Sequence, residues 1–277
     1  MWGLAFDARP RTGIDMKFQT LIVTVDGDAR SLAKTANVQT DTLIGNQCRH
    51  VGREEFDHSG CRVICLCSDE KGAGKNRNLL LKNGTADYFI LADDDMTFAE
   101  GYPGIVQRFL EETKDADVLV FNLMEKHPRR FVNTKVKRIR RHDYAKYGAA
   151  RFVLKRSSIA ERGISFSELF GGSVYGSGED TIFLRDCIKK GLKVYAVPAA
   201  LAEIDNESES TWFKGYNEKF FYDKGALYAC LHPFGWRLFA GRFILKCANR
   251  IKGKITVFEA AESMLRGGRD YLKNRIG

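Results

Sequence analysis

The chain has no run of about 18 apolar residues, the length a helix needs to cross a membrane, so a spanning helix is not expected. Met1 to Asp15 lack a basic start followed by an apolar core, which argues against a secretory signal and leaves residues 1–16 as an expected disordered leader, with Met16 as an alternative start. There is no GxxxxGK[ST] phosphate loop, because Gly72-Ala73-Gly74-Lys75 is too short. The seven cysteines are odd in number and show no second pair at zinc spacing, which points to reduced thiols in a cytoplasm. Cys65 and Cys67 fall inside the apolar run Val63-Ile64-Cys65-Leu66-Cys67, so they and Cys61 read as small core hydrophobes. Acid is absent from Lys224 through Val257. No nucleic-acid-binding motif occurs, and the cations behind the net charge of +9 sit in separate segments.

That charge still calls for an anionic partner: nucleotide phosphates, anionic lipid or nucleic acid. The apolar content of 44% and charged content of 29% are ordinary for a protein that buries a core. The most informative stretch is Tyr88-Phe89-Ile90-Leu91-Ala92-Asp93-Asp94-Asp95, an apolar run of strand length that stops at three consecutive carboxylates. Adjacent carboxylates repel and resist desolvation. A hard divalent cation shared with a substrate's phosphates would account for them, and so would a solvated acidic turn.

Around this stretch, strand and helix patterns alternate. Phe18 to Val25 reads as a strand and Asp28 as the N-cap of a helix through Ala36. Thr42 to Gly45 is a second strand ending at Asn46-Gln47, Val63 to Cys67 a third, and Lys75 to Lys82 a helix closed by Asn83-Gly84. A helix from Pro103 to Thr113 and strands at Val118–Phe121, Arg151–Leu154 and Leu192–Val197 follow. Lys126 to His142 is basic and aperiodic, and reads as a solvated loop. The alternation implies parallel pairing with helices on both faces, and ligands then bind beside the carboxyl ends of the strands.

A second carboxylate station, Glu179-Asp180, opens the helix that carries Ile182, Phe183, Cys187 and Ile188. Acids at a helix start are favoured by the macrodipole alone. Paired with a metal-type turn, they suggest a cation that neutralises a leaving diphosphate and a base that activates a hydroxyl. Phosphoryl, nucleotidyl and glycosyl transfer all fit that pair, and a non-enzymatic nucleic-acid-binding protein is the alternative that the charge alone allows.

Four motifs in order narrow the choice: the strand Phe18–Val25; Glu70-Lys71-Gly72-Ala73-Gly74-Lys75-Asn76-Arg77-Asn78; Ile90-Leu91-Ala92-Asp93-Asp94-Asp95; and Gly178-Glu179-Asp180 with Phe183 and Arg185. Together they resemble family 2 glycosyltransferases of the GT-A fold. Ser210-Thr211-Trp212-Phe213-Lys214-Gly215-Tyr216 looks like the branch that builds bacterial surface polysaccharides, lipopolysaccharide or capsule. The resemblance implies an inverting transfer from a nucleotide-diphosphate sugar, a UDP-sugar foremost, to a saccharide acceptor that is lipid-linked. Asp93 and Asp95 would be the first and last acids of a DxD motif holding Mn2+ or Mg2+, with Asp94 beside the donor. Arg77 and Asn78 match residues that meet nucleotide phosphate or ribose. Asp180 matches the catalytic base, and Glu179 would help bind or orient the acceptor. Relatives carry an Asp where this chain has Asn46-Gln47, so base recognition would fall to amides. Relatives also supply a further metal ligand from a His near the end of the sheet; Asp205 is the candidate here. Trp212 would stack on the acceptor sugar. His127, His142 and His232 match no role.

The fold class implied is α/β, a GT-A Rossmann-like, mostly parallel sheet flanked by helices, with a catalytic domain over 17–212 and a helical, basic and aromatic region over 213–277. In that last region Trp236, Phe239, Phe243, Cys247 and Ile251 share one helical face flanked by Arg242, Lys246 and Arg250, while Leu238 and Leu245 fall off it. This pattern suits either an interfacial helix on an anionic membrane surface or a helix packed on the catalytic domain. A cytoplasmic location follows, with peripheral contact at the inner face of the plasma membrane in the first case.

Overall fold

The computed structural model describes residues 16–125, 130–204 and 215–274. Residues 1–15 of the expected leader, Asp205 and Trp212 lie outside the described residues. The first half runs β1 (Phe18–Val25), α1 (Ala29–Thr35), β2 (Asp41–Gln47), β3 (Gly52–His58), β4 (Cys61–Ser68), α2 (Ala73–Asn83), β5 (Tyr88–Asp93), β6 (Met96–Phe98) and α3 (Tyr102–Glu112). The second half runs β7 (Val118–Glu125), β8 (Lys137–Arg138), β9 (Phe152–Lys155), α4 (Arg156–Glu161), α5 (Glu179–Lys189), β10 (Val194–Ile204), α6 (Glu218–Leu231), α7 (Trp236–Cys247) and α8 (Val257–Asn274).

All ten strands join one sheet, in the order β3-β4-β2-β1-β5-β9-β7-β10-β6, with β8 added beside β10. β4, β2, β1 and β5 are parallel neighbours, and β7 and β10 are parallel to each other. β9 runs antiparallel to both β5 and β7, so those two point the same way across it. The acids that end β5 therefore lie at the carboxyl edge shared by the principal strands.

β1 is apolar almost throughout because both of its faces are covered. Leu21 joins a core with Leu43, Leu80, Phe166 and Phe183 on the side of α2 and α5. Ile22 joins the opposite core with Ala33, Ile44, Phe109 and Phe121 beneath α1 and α3. Asp28 caps α1 as its position suggests, accepting from the Ser31 amide at 2.7 Å.

Three features differ from the sequence reading or go beyond it. β3 is strongly polar and mostly exposed, so no apolar alternation marks it; charged residues on an edge strand discourage pairing with other chains. β9 is antiparallel, wedged between β5 and β7, an orientation that the short apolar run Arg151–Leu154 does not reveal by itself. The basic stretch after β7 is partly anchored: Arg138 and Lys137 pair with Tyr195 and Ala196, and the buried Asn133 and Asn122 exchange hydrogen bonds.

The C-terminal helices continue the α2/α5 core, where Phe221, Trp236 and Met264 join Phe170, Tyr175 and Phe183. α6 and α8 cross at backbone contact. A Cβ on Gly225 would run into the Met264 carbonyl, and one on Gly267 into that of Tyr222. α7 turns Trp236, Ala240, Ile244 and Cys247 inward. The apolar face read from the sequence is thus largely protein-facing, since Trp236, Cys247 and the nearby Ile251 are buried and Phe239 alone of that set is well exposed. The outward face holds the two leucines that broke the pattern: Leu238 is 80% and Leu245 77% exposed.

Gly267→Val is expected to destabilise the fold by roughly 1–3 kcal/mol, the usual cost of overpacking. Gly104→Ala, at a position in α3 with open space around it, should instead stabilise by about 0.5–1 kcal/mol. Urea unfolding of the two variants checks the pair, and equal midpoints would refute the close crossing.

Candidate active site

The site is built on one buried cation. α2 presents Arg77, 7% exposed, to two acids from distant parts of the chain. Its Nη2 donates to Asp93 Oδ1 at 2.7 Å, at the end of β5, and its Nη1 to Glu179 Oε1 at 2.8 Å, at the start of α5. Burial opposes the guanidinium charge, but the carboxylates of Asp93, Glu179 and Asp180 outweigh it and hold the proton more tightly than usual. The ring of Phe166 lies 5.4 Å below the guanidinium.

Glu179 is itself buried, and its second oxygen accepts from the Gly178 amide at 3.1 Å. The backbone of Gly171 closes over it: φ there is +83°, and a Cβ would stand 2.9 Å from the Glu179 carboxyl carbon. Each of its carboxylate oxygens thus has a protein partner, one from Arg77 and one from Gly178.

Asp180 is partly buried beside Glu179. Its Oδ1 accepts from the Thr181 amide at 2.8 Å, and a Cβ on Gly148 would lie 3.3 Å from its Oδ2. Desolvation first, and then the charge of Glu179, push its carboxyl up to about 6 against the opposing pull of Arg77.

At the end of β5 the three acids diverge. Asp93 faces Arg77, while Asp94 accepts from Thr24 Oγ1 at 2.6 Å. Asp95 is partly buried, and its Oδ1 has no hydrogen-bond partner among the described residues. Desolvation, and then the charges of Asp93 and Asp94, push the Asp95 carboxyl up to about 6. An unpartnered buried oxygen amid like charges is what a hard cation would relieve, and the all-carboxylate donors suit Mg2+ or Mn2+. The end of β10 lies alongside, since Ile204 pairs with Met96 and precedes Asp205.

The amides singled out from the sequence are engaged with backbone. Asn46 exchanges both of its hydrogen bonds with Gly27, donating to the carbonyl at 2.7 Å and accepting from the amide at 3.2 Å. Gln47 Oε1 accepts from the Gly72 amide at 2.7 Å. Asn78 brackets Phe166, accepting from its amide at 2.8 Å and donating to its carbonyl at 3.0 Å. These three side chains hold the loops that wall the site.

The sequence reading expects helices here but does not single out Lys224 on α6. Lys224 is partly buried and lies within the field of Asp180, Asp223 and Glu179; desolvation dominates there and lowers its pKa. Asp223 ties α6 to the loop before α5, accepting from the Gly176 amide at 3.0 Å. The charge-only signal is Lys224 standing at the edge of the acid-free stretch, and its placement within the field of the acids is a product of tertiary packing.

No family model and no curated protein matches this sequence. Solved structures do. TarS of S. aureus in complex with UDP-GlcNAc superposes with a TM-score of 0.60 at 13% identity, covering 95% of this chain and 92% of that one. TarS in complex with UDP gives 0.59 at 12% identity over 94% and 82% of the two chains. The mannosyltransferase PcManGT from Pyrobaculum calidifontis, in complex with GDP-Man and Mn2+, gives 0.54 at 10% identity over 98% and 91%. The chain has a glycosyltransferase fold.

Replacing Arg77 with Met leaves Glu179 buried and unpaired, and is expected to cost roughly 3–5 kcal/mol of stability. Asp93→Asn, at a more exposed partner, should cost clearly less. Chemical denaturation of both variants tests this, and an Arg77→Met loss no larger than that of Asp93→Asn would show that the bridge does not organise the site.

Proposed function

We propose that this protein is an inverting glycosyltransferase that moves a sugar from a nucleotide-diphosphate donor, a UDP-sugar, to a saccharide acceptor. The observation that carries the reading is that Asp180, with a raised pKa, sits next to Glu179, which shares the buried Arg77 with Asp93 at the end of β5. The glycosyltransferase fold adds the reaction class.

In this mechanism Asp180 takes the proton from the acceptor hydroxyl as its oxygen attacks the anomeric carbon, and the bond from that carbon to the diphosphate oxygen breaks. One displacement inverts the anomeric centre. Asp93 and Asp95, with Asp205 as a third ligand, would hold Mn2+ or Mg2+, which supplies positive charge against the leaving diphosphate when bound. Arg77 keeps Asp93 and Glu179 in register. Glu179 is a positioning residue in this reading, setting the start of α5 and raising Asp180. Lys224 adds a nearby cation on the acceptor side. Asn46, Gln47 and Asn78 shape the donor pocket by fixing Gly27, Gly72 and Phe166, and Gln47 retains its amide nitrogen for a base. Trp212 contributes an aromatic face for the acceptor sugar.

The acceptor we propose is lipid-linked, as in surface-polysaccharide assembly, with the outer face of α7 resting on an anionic membrane. Phe234, Leu238, Leu245 and Phe258 are all more than three-quarters exposed, in a stretch with Arg237, Arg242, Lys246, Arg250, Lys252 and Lys254 and with no acid before Glu259. No helix among the described residues is long and apolar enough to cross a membrane.

Asp180→Asn should abolish transfer while leaving nucleotide-diphosphate affinity within about twofold, measured by product formation and calorimetry. Equal loss of donor binding would sink the base assignment. In the wild type, Asp180 acts only when deprotonated, facing Arg77, Glu179, Asp93 and Lys224. Its raised pKa predicts that kcat/KM falls about tenfold per unit as pH drops below about 6, and a flat profile down to pH 4.5 would contradict it. Asp95→Ala should remove the cation-dependent part of nucleoside-diphosphate binding. For the membrane contact, the double substitution Leu238→Ser and Leu245→Ser should reduce co-sedimentation with phosphatidylglycerol vesicles and leave transfer to a soluble acceptor unchanged; undiminished vesicle binding would refute that surface.

A further inference from the structure

Away from these acids, the fold assembles a group of ligand atoms that the sequence spacing conceals. Cys48 and His50 lie in the turn between β2 and β3, and Cys67 lies in β4. One ligand atom from each falls within 4.8 Å of the other two. Backbone register brings them together: Gly52 pairs with Cys67, and the Cys48 amide donates to the Ser68 carbonyl at 2.8 Å. Gly52 leaves the space the imidazole uses, since a Cβ there would lie 3.3 Å from His50 Cδ2. Cys65, two residues earlier on the same face of β4, is buried, with its thiol in contact with that of Cys67. All of these thiols are free.

Two thiols and an imidazole from two separate segments form a soft donor set, unlike the all-oxygen set at Asp93 and Asp95. Such donors select zinc over Mg2+ or Mn2+. With Zn–S near 2.3 Å and Zn–N near 2.0–2.1 Å, ligand atoms of an occupied tetrahedral site stand about 3.3–3.8 Å apart. Closing from the present spacing takes about an ångström, and it falls to a turn whose Arg49, His50 and Val51 are all exposed. We propose that Cys48, His50 and Cys67 bind a zinc ion that staples the β2–β3 turn to β4, with water or Cys65 as the fourth ligand. Uptake releases one proton to solvent for each thiol that ligates, two with water as fourth ligand and three with Cys65.

The staple has a definite place in the fold. β3 pairs with β4 alone, and the stapled turn continues directly from Asn46 and Gln47, which hold Gly27 and Gly72. Metal in the turn therefore steadies one wall of the donor pocket. The zinc site stands independently of the glycosyltransferase reading; only its coupling to donor affinity rests on that reading.

The test uses the full chain, stripped with chelator under reducing conditions and titrated with Co2+ and then Zn2+. Stoichiometric Co2+ should give a thiolate-to-metal charge-transfer absorption together with the visible bands of tetrahedral coordination, both removed by Zn2+. Carboxylates cannot produce the sulfur band, so Asp93→Ala with Asp95→Ala should retain it, and this separates the two metal sites. Cys67→Ser should weaken binding by more than about 100-fold, beyond the cost of altering an outer-shell partner. His50→Ala, in an exposed turn where folding is not at risk, should weaken binding and shift the visible bands. Absence of the sulfur band, a band unchanged in Cys67→Ser, or a Cys48–Cys67 disulfide forming in place of metal uptake would overturn the proposal.

Discussion

A guanidinium buried between two carboxylates is expensive to assemble and more expensive to break, because removing any member strands a charge away from water. Arg77 stands in that position, between the end of β5 and the start of α5. Its planar fork satisfies both acids at once, which a lysine's point charge could not do with the same geometry. The bridge spans 102 residues of sequence to Glu179, so it closes only when α2, β5 and α5 have all docked. Folding and site assembly are in that sense one event, and the acids that flank the bridge inherit their positions from it.

The surroundings extend this economy of charge. Three of the polar side chains around the site are amides turned onto backbone: Asn46 on Gly27, Gln47 on Gly72, Asn78 on Phe166. Each satisfies buried main-chain groups that would otherwise be stranded in a loop, and none adds net charge. The electrostatics are left to a small set of ionised groups, in which carboxylates outnumber cations. Asp95 and Asp180 both carry raised pKa values for the same leading reason, loss of water, while their neighbours differ: Asp95 has two further acids beside it, and Asp180 has Arg77 to moderate Glu179.

Much of this was legible in the chain. β1 has the boundaries its apolar run implies, α1 has its Asp28 cap, and α5 opens at Glu179 as the acid pair suggested. These signals are local, written in periodicity, capping and adjacent charges. Illegible features were those made by distant segments meeting. Nothing in Arg77 by itself shows that it reaches Glu179, and nothing in Cys48, His50 and Cys67 shows that register will gather them. The polar edge strand β3 carries no apolar rhythm, and the antiparallel β9 looks like any short buried strand until its neighbours are known. On α7 the aromatic face packs largely inward, the second of the two arrangements its pattern allows, while Leu238 and Leu245, which fall off that face, are exposed.

The crossing of α6 and α8 has a mechanical consequence. Where Gly225 meets Met264 and Gly267 meets Tyr222, main chain rests on main chain, with no side chain between them to change rotamer and absorb a displacement. Packed interiors are stiff and transmit strain. α6 also carries Asp223, clamped to the Gly176 amide, and Lys224, within the field of Asp180, Asp223 and Glu179. A force on the outer helices therefore reaches the loop before α5 as through a rigid lever, without a cushion along the way. A shift of α8 would thus pass through α6 to the loop that leads into Glu179 and Asp180.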